Sequence, residues 1–212
     1  MRGERVQRPG LGRTIAAAAF ASALAMLSPA AALAAADPAA TQIDGFDAQL
    51  IDTMKAAKSL GVEGRYRKLE PVVSRYWDIP TMIRFAVGPS WSTIPAAQQQ
   101  ALTQAFARLT AASLAHNFSG YSGQHFQVSP NVLTRGPDKV VTTTLISPTD
   151  SPVTIAYRMR QAGGVWKIVD VYYNGAISQL TTRRADFQSS LQQGGASELV
   201  KHLNALVDKE MK

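Results

Sequence analysis

The chain has 212 residues, a formal net charge of +7 and no cysteine. The missing thiols exclude disulfides, thiolate metal sites and thiol catalysis, so the fold must hold by packing alone, and they suit an oxidising compartment. The basic residues are scattered without interleaved aromatics, which argues against a nucleic-acid partner; an attraction to anionic membrane surfaces or an acidic partner, or a plain solvated surface, accounts for them.

Residues 1–36 read as a secretory signal. Basic Arg2, Arg5, Arg8 and Arg13 precede an apolar run from Ile15 to Leu27, and small residues fill Ala30 to Ala36. Ala32-Leu33-Ala34 and Ala34-Ala35-Ala36 both suit a signal peptidase, so the cut is expected after Ala34 or Ala36. The apolar run is shorter than the roughly 20 residues that span a bilayer, which disfavours a permanent anchor. The expected destination is the periplasm. Residues 37–212 then form one domain of 176 residues with 18 basic and 14 acidic side chains, a net charge of +4.

From Thr41 to Leu60, Ile43, Phe46, Leu50, Ile51, Met54 and Leu60 recur at helical spacing, with Asp44, Asp47 and Asp52 in the early turns. Gly61 and Gly64 interrupt this helix. A second is expected from about Arg65 to Trp77, with Pro71 as a potential early break. Asp78 caps a short apolar helix with Pro80 in its first turn, stopped at Gly88-Pro89. The longest helix starts at Thr93-Ile94-Pro95 and runs to about Phe118, with Leu102, Phe106, Leu109 and Leu114 as its apolar stripe.

After the turn cluster Ser119–Gly123 the period becomes alternating. Four strands are expected, at Gln124–Val132, Lys139–Ser147, Val153–Arg160 and Val165–Tyr173, the last three as an antiparallel meander. In the third, Val153, Ile155, Tyr157 and Met159 alternate with Thr154, Ala156, Arg158 and Arg160, which assigns one face to the core and one to water. The helical period returns after Asn174-Gly175, stops at Gly194-Gly195, and resumes from Ala196 through Leu199, Val200, Leu203, Leu206 and Val207. The expected architecture is α+β, a twisted four-stranded antiparallel sheet covered by helices on one face.

Signatures of catalysis are thin. His116, His125 and His202 share no metal-ligand spacing, and HExxH, P-loop and GxGxxG motifs are missing. Gly120-Tyr121-Ser122-Gly123 lacks the spacing of a nucleophile elbow and reads as a turn. Asp170 is the lone acid in the apolar run Ile168–Val171; it is either a general base in a pocket or, more often for such an acid, a cap or an arginine partner. Arg183 and Arg184 suit a lipid headgroup or an acidic partner, or sit on a solvated face. Met82, Phe85, Phe106, Leu109, Phe118, Tyr121, Val128, Tyr157, Trp166, Ile177, Leu180 and Phe187 are inward candidates. Taken alone, they describe an ordinary core.

Tyr157–Arg160, Gly164–Val171, Asn174–Ser178 and Thr182–Phe187, in that order and spacing, resemble the periplasmic lipid-binding subunit of the Mla transport system (MlaC), the toluene-tolerance family. Trp91–Gln98, Phe106 and Tyr121–Val128 are similar to its central helix and first strand, so the resemblance runs from about Thr41 to Val207. Where the family commonly carries Glu-Gly-Val-Ser, this chain has Asn174–Ser178, one residue longer, and Tyr76–Ile79 is more aromatic; these departures are closer to the hopanoid-associated branch called HpnM. The resemblance implies an NTF2-like cone with an apolar cavity between sheet and helices. It assigns the twelve inward candidates to lipid tails, and Arg183 and Arg184 to a headgroup or partner. It further implies a monomeric carrier of phospholipid or hopanoid, not an enzyme, without cofactor or metal, serving a membrane-bound ABC transporter complex with an MCE-domain protein. A periplasmic enzyme of hopanoid or lipid modification using Asp170, and an adaptor that binds no lipid, are the competing readings.

Overall fold

The structure, a computed structural model, describes residues 36–174 and 177–212. The expected secretory signal lies outside the described residues save Ala36 at its end. The described residues form one compact unit. None of the described helices is long and apolar enough to cross a membrane.

Helix α1 spans Pro38–Lys55, opened by Asp37, whose carboxylate accepts from the Ala39 N–H at 2.8 Å. The chain breaks at Ala56, four residues before the expected end at Leu60, and α2 follows at once over Ala57–Tyr76. Gly61 kinks α2 at φ +59°, a left-handed conformation that favours glycine. Pro71 does not break the helix. It sits on the exposed side, where the carbonyl it leaves unpaired can meet water. Helix α3 covers Ile79–Val87 with Asp78 as its cap, the side chain accepting from the Thr81 N–H at 3.2 Å, as the sequence predicts. A 3₁₀ segment, Gly88–Thr93, leads to α4 at Ala96–Asn117. Arg65 is buried and fastens α2 to the last turn of α4, donating from Nε to the Ala115 carbonyl at 2.7 Å.

The sheet has six strands where four are expected: β1 (His125–Val128), β2 (Leu133–Arg135), β3 (Asp138–Ile146), β4 (Val153–Ala162), β5 (Val165–Tyr173) and β6 (Ile177–Ser178). Their order is β1-β3-β4-β5-β6, with β2 also beside β3, and every pairing is antiparallel. The expected first strand, Gln124–Val132, is the source of one difference. It ends at Val128, Pro130 interrupts it without an N–H to donate, and the chain rejoins the other half of β3 as β2. At two residues, β6 is too short to show alternation. The meander β3-β4-β5 is present as expected. Helix α5 runs over Gln179–Glu210 with a kink at Gly194 and Gly195, the latter at φ +66°, where the sequence places a stop and restart.

Helices pack on one face of the sheet. Phe46 of α1 meets Tyr157 of β4 edge-on at 5.9 Å between centroids and also contacts Tyr76 and Trp77. Strand β5 carries a bulge. Arg158 pairs with Asp170, and the next residue, Met159, pairs with Ile168, leaving Val169 as the extra residue. Strict alternation would turn Asp170 to the same face as Trp166 and Ile168. The bulge turns it to the opposite face, beside Arg158.

There Asp170 is 5 % exposed and fully engaged. It accepts from the Ser178 hydroxyl at 2.6 Å, the Val171 N–H at 2.8 Å and the Leu180 N–H at 3.3 Å. Ser178 is the N-cap of α5 and accepts from the Thr181 N–H at 3.0 Å. Asp170 therefore anchors the start of α5 to β5, where a negative charge also complements the helix dipole.

Asp47 of α1 is buried as well, as is Asp138 of β3. The Asp47 Oδ2 accepts from the Thr143 hydroxyl of β3 at 2.9 Å, and its Oδ1 has no partner among the described residues. Burial, with a smaller push from Asp44, raises its pKa to about 8.

Two predictions follow from these acids. The unfolded Asp47 titrates at about 3.9, so between that pH and about 8 the folded state holds a proton that the unfolded state has released. Its contribution to stability is then fully present at low pH and lost as pH rises through that window, by at most ~1.4 kcal/mol per pH unit. Asp47→Asn keeps an acceptor for Thr143; urea titrations at several pH values are expected to show a flatter dependence and a more stable protein near pH 8. An unchanged slope would place the carboxyl pKa near its ordinary value. Asp170→Ala is expected to lower stability by about 1–3 kcal/mol, and hydrogen exchange should rise first in the opening turns of α5. Exchange spread evenly over the chain would remove the anchoring role.

Candidate functional site

A cavity of about 150 Å³ lies between the sheet and the helices. Its wall is apolar at Trp77, Met82 of α3, Phe106 and Leu114 of α4, Val171 of β5 and Leu180 of α5. Thr110, Ser113, Asn117, Tyr173, Gln179, Arg183 and Glu210 complete the lining. Inward alternation on β5 supplies Val171 and Tyr173, and the first turns of α5 supply Gln179, Leu180 and Arg183. The indole N–H of Trp77 is buried without a partner among the described residues, so the wall also carries an unspent donor.

Arg183 is the cation of the site. Burial pulls its guanidinium below the usual arginine range, while Glu210, Tyr173 and Asp186 oppose that shift. Glu210 belongs to the last turn of α5 and is tied to α4, accepting from the Ser113 hydroxyl at 3.3 Å and lying 3.7 Å from His116 Nδ1. One side of the cavity thus offers hydrocarbon contact and another the charged side chains of Arg183 and Glu210. Such an arrangement fits an amphiphile better than a polar metabolite.

A second, more open concavity of about 500 Å³ lies at the end of α4, lined by Met54, Phe118, Tyr121, Leu145 and Val153 among others. It shares Asn117 with the first, so the last turn of α4 stands between the two.

The inward candidates separate into groups. Met82, Phe106 and Leu180 line the cavity, and Phe118 and Tyr121 line the second concavity. Leu109, Tyr157 and Phe187 are buried core, with Phe187 edge-on to Phe106 at 6.0 Å. Val128 and Trp166 are half-buried against that core.

Three candidates do not face inward. Phe85 is 36 % exposed, because Ile79, Met82, Ile83, Ala86 and Val87 occupy the buried arc of α3 and leave it on the flank. Tyr121 is 44 % exposed in the loop after α4, under the Lys55 ammonium at 5.6 Å. Ile177 is 63 % exposed on the edge strand β6. Arg184, unlike Arg183, lines a separate depression with Phe85 and Arg158.

Sequence reasoning did not single out Trp77, Thr110, Tyr173 or Glu210 for the site. Tyr173 was accessible through its alternation with Val171. Glu210 was not, since only the tertiary return of α5 along α4 brings it there. No group of three or more His, Cys, Asp or Glu among the described residues could hold a metal ion.

The fold has a counterpart. The three-dimensional structure of a phospholipid-binding protein from Ralstonia solanacearum, in complex with a phospholipid, superimposes with a TM-score of 0.72 at 20 % identity, covering 83 % of this chain and 100 % of that one. That likeness establishes a shared fold. Comparison with curated protein sequences finds no match. The family model described as "MlaC protein" matches residues 45–205, and the chain therefore belongs to the MlaC family.

Proposed function

We propose that this chain is an exported lipid carrier, not an enzyme, which shields the apolar part of a phospholipid or hopanoid between β5 and helices α3, α4 and α5. The observation that carries this reading is the cavity with an apolar wall and Arg183 in its lining, set in a fold shared with a phospholipid-bound protein. The driving force is large: each methylene removed from water contributes about 0.8 kcal/mol. Arg183 suits the phosphate of a headgroup, which its planar guanidinium can engage in two hydrogen bonds. In this reading the chain works in the periplasm and exchanges lipid with membrane-bound complexes, an ABC transporter with an MCE-domain protein among them.

The size of the cavity sets a condition. Ligand sites commonly hold about 300–1,000 Å³, so about 150 Å³ admits part of one tail. Loading a whole lipid requires displacement of the last turn of α4, which would join the cavity to the larger concavity beyond Asn117. Arg65, bonded to Ala115 in that turn, is the fastener such a motion must strain.

Asp170 does not favour the enzymatic reading. Its oxygens are taken by Ser178, Val171 and Leu180, and it faces away from the cavity.

Native purification followed by lipid extraction and mass spectrometry is expected to show stoichiometric lipid on the chain and to decide between phospholipid and hopanoid. Thr110→Trp, which places an indole in the cavity, is expected to lower lipid content at least tenfold while leaving the melting temperature near that of the parent. Repeated recovery of lipid-free protein that takes up no lipid from vesicles would overturn the carrier reading.

A further inference from the structure

The face of the sheet turned away from the helices is not an even polar surface. Strand register assigns Arg135, Asp138, Arg160 and Lys167 to one row across it, and Leu133, Val140, Arg158 and Asp170 to the next. An open depression of about 620 Å³ lies over these rows, between Arg135, Arg158 and Tyr172. A second, of about 290 Å³, adjoins it through Arg158 and is bordered by Phe85 and Arg184. Arg84 and Arg160 both stand over the Phe85 ring, at 5.8 and 5.5 Å from its centroid.

The acids here are already committed. Asp138 is ion-paired by Arg158 and Arg160, Asp170 is held by Ser178 and Leu180, and Asp78 caps α3. Against these three acids stand six cations: Arg84, Arg135, Arg158, Arg160, Lys167 and Arg184. Arg84, Arg135 and Arg184 lie in no ion pair among the described residues. The surplus of three compares with +4 for all of residues 37–212, so one end of one face carries most of the net charge.

Exposed apolar side chains flank the cations on three separate elements. Leu133 of β2 is 52 % exposed, Val165 at the β4–β5 hairpin 47 %, and Phe85 of α3 36 %. A protein interface depletes charge at its core and buries apolar groups together. Here apolar tips alternate with long cationic stems, the composition that seats rings and aliphatic side chains below lipid headgroups while guanidinium groups stay at phosphate level. We propose that this end of the uncovered sheet face docks on the surface of an anionic lipid bilayer.

The inference does not rest on lipid carriage, because a chain that holds no lipid has the same surface. The test is cosedimentation of residues 37–212, which form one compact unit, with vesicles of phosphatidylglycerol mixed with phosphatidylethanolamine and with vesicles of phosphatidylcholine. Binding is expected to the anionic vesicles alone and to vanish near 1 M salt, where charges are screened beyond about 3 Å. Each of Arg84→Gln, Arg135→Gln and Arg184→Gln is expected to weaken binding about fivefold, and the triple variant about a hundredfold. A control variant, Lys58→Gln/Lys209→Gln/Lys212→Gln, changes net charge equally at exposed positions outside this face and is expected to keep most of the affinity. The salt and lipid dependence of the unmodified chain stands as a readout even if a variant misfolds. No binding to anionic vesicles, equal binding to phosphatidylcholine, or an equal loss in the lysine control would each overturn the proposal, and the first would leave the face to an acidic protein.

Discussion

One extra residue in β5 decides how this molecule is divided. With Val169 bulged out, Trp166 and Ile168 in the first half of the strand share the helix-covered face with Val171 and Tyr173 in the second. A regular strand could not do this, because a shift of one position reverses every side chain. The bulge therefore keeps apolar residues inward over the whole strand and sends Asp170 outward to receive α5. The position of α5 then follows, and with it the cavity, since Leu180 and Arg183 belong to the helix that Asp170 holds.

The same opening turns of α5 separate two environments. Arg183 and Arg184 are consecutive, so about 100° of helix rotation parts their side chains. Arg183 lines the cavity, and Arg184 lines the depression on the outer side beside Phe85. An added Cβ at Gly88 would meet the Arg184 guanidinium at 2.7 Å, so the glycine that ends α3 at φ +74° also makes room for it. A cationic outer face and an apolar-walled cavity inside are thus joined through one turn of helix, and motion of that turn would be felt on both sides.

Local signals in the sequence were sufficient where the chemistry is local. Asp78 and Pro80 announced α3, Gly194-Gly195 announced the kink in α5, and the short turn-rich connections Pro148–Pro152 and Gln161–Gly164 announced the meander. Phe85, placed inward by the sequence reading, could have been excluded, because its neighbours Met82, Ile83, Ala86 and Val87 complete an apolar arc without it. What was not legible depends on pairing between distant segments. The bulge exists only relative to β4, the split of the first strand only relative to β3, and Glu210 reaches the site only because α5 returns along α4. Asp170 stands between the two: a lone acid in an apolar strand reads most often as a cap or an arginine partner, and only the folded chain shows that the groups it caps are at the start of α5.

Packing explains why the interior holds so little open space. Phe46, Phe187, Ile43, Leu50, Leu102, Leu109 and Met159 are all fully buried, and side chains of this size fill most of the volume between sheet and helices. A permanently open lipid-sized hollow would forgo those contacts, at a cost that grows by about 24 cal/mol per Å³. Several hundred Å³ kept empty would then remove a large part of the 5–15 kcal/mol that stabilises a typical domain. A carrier built from so small a domain is better served by a narrow apolar seam that a guest widens, because the hydrocarbon it admits restores the contacts that widening removes. The seam here ends at Asn117, where one helical turn held by Arg65 separates it from the larger concavity. Widening at that turn exchanges one helix-to-helix fastening for burial of tail, and at about 0.8 kcal/mol per methylene a few carbons suffice to balance it.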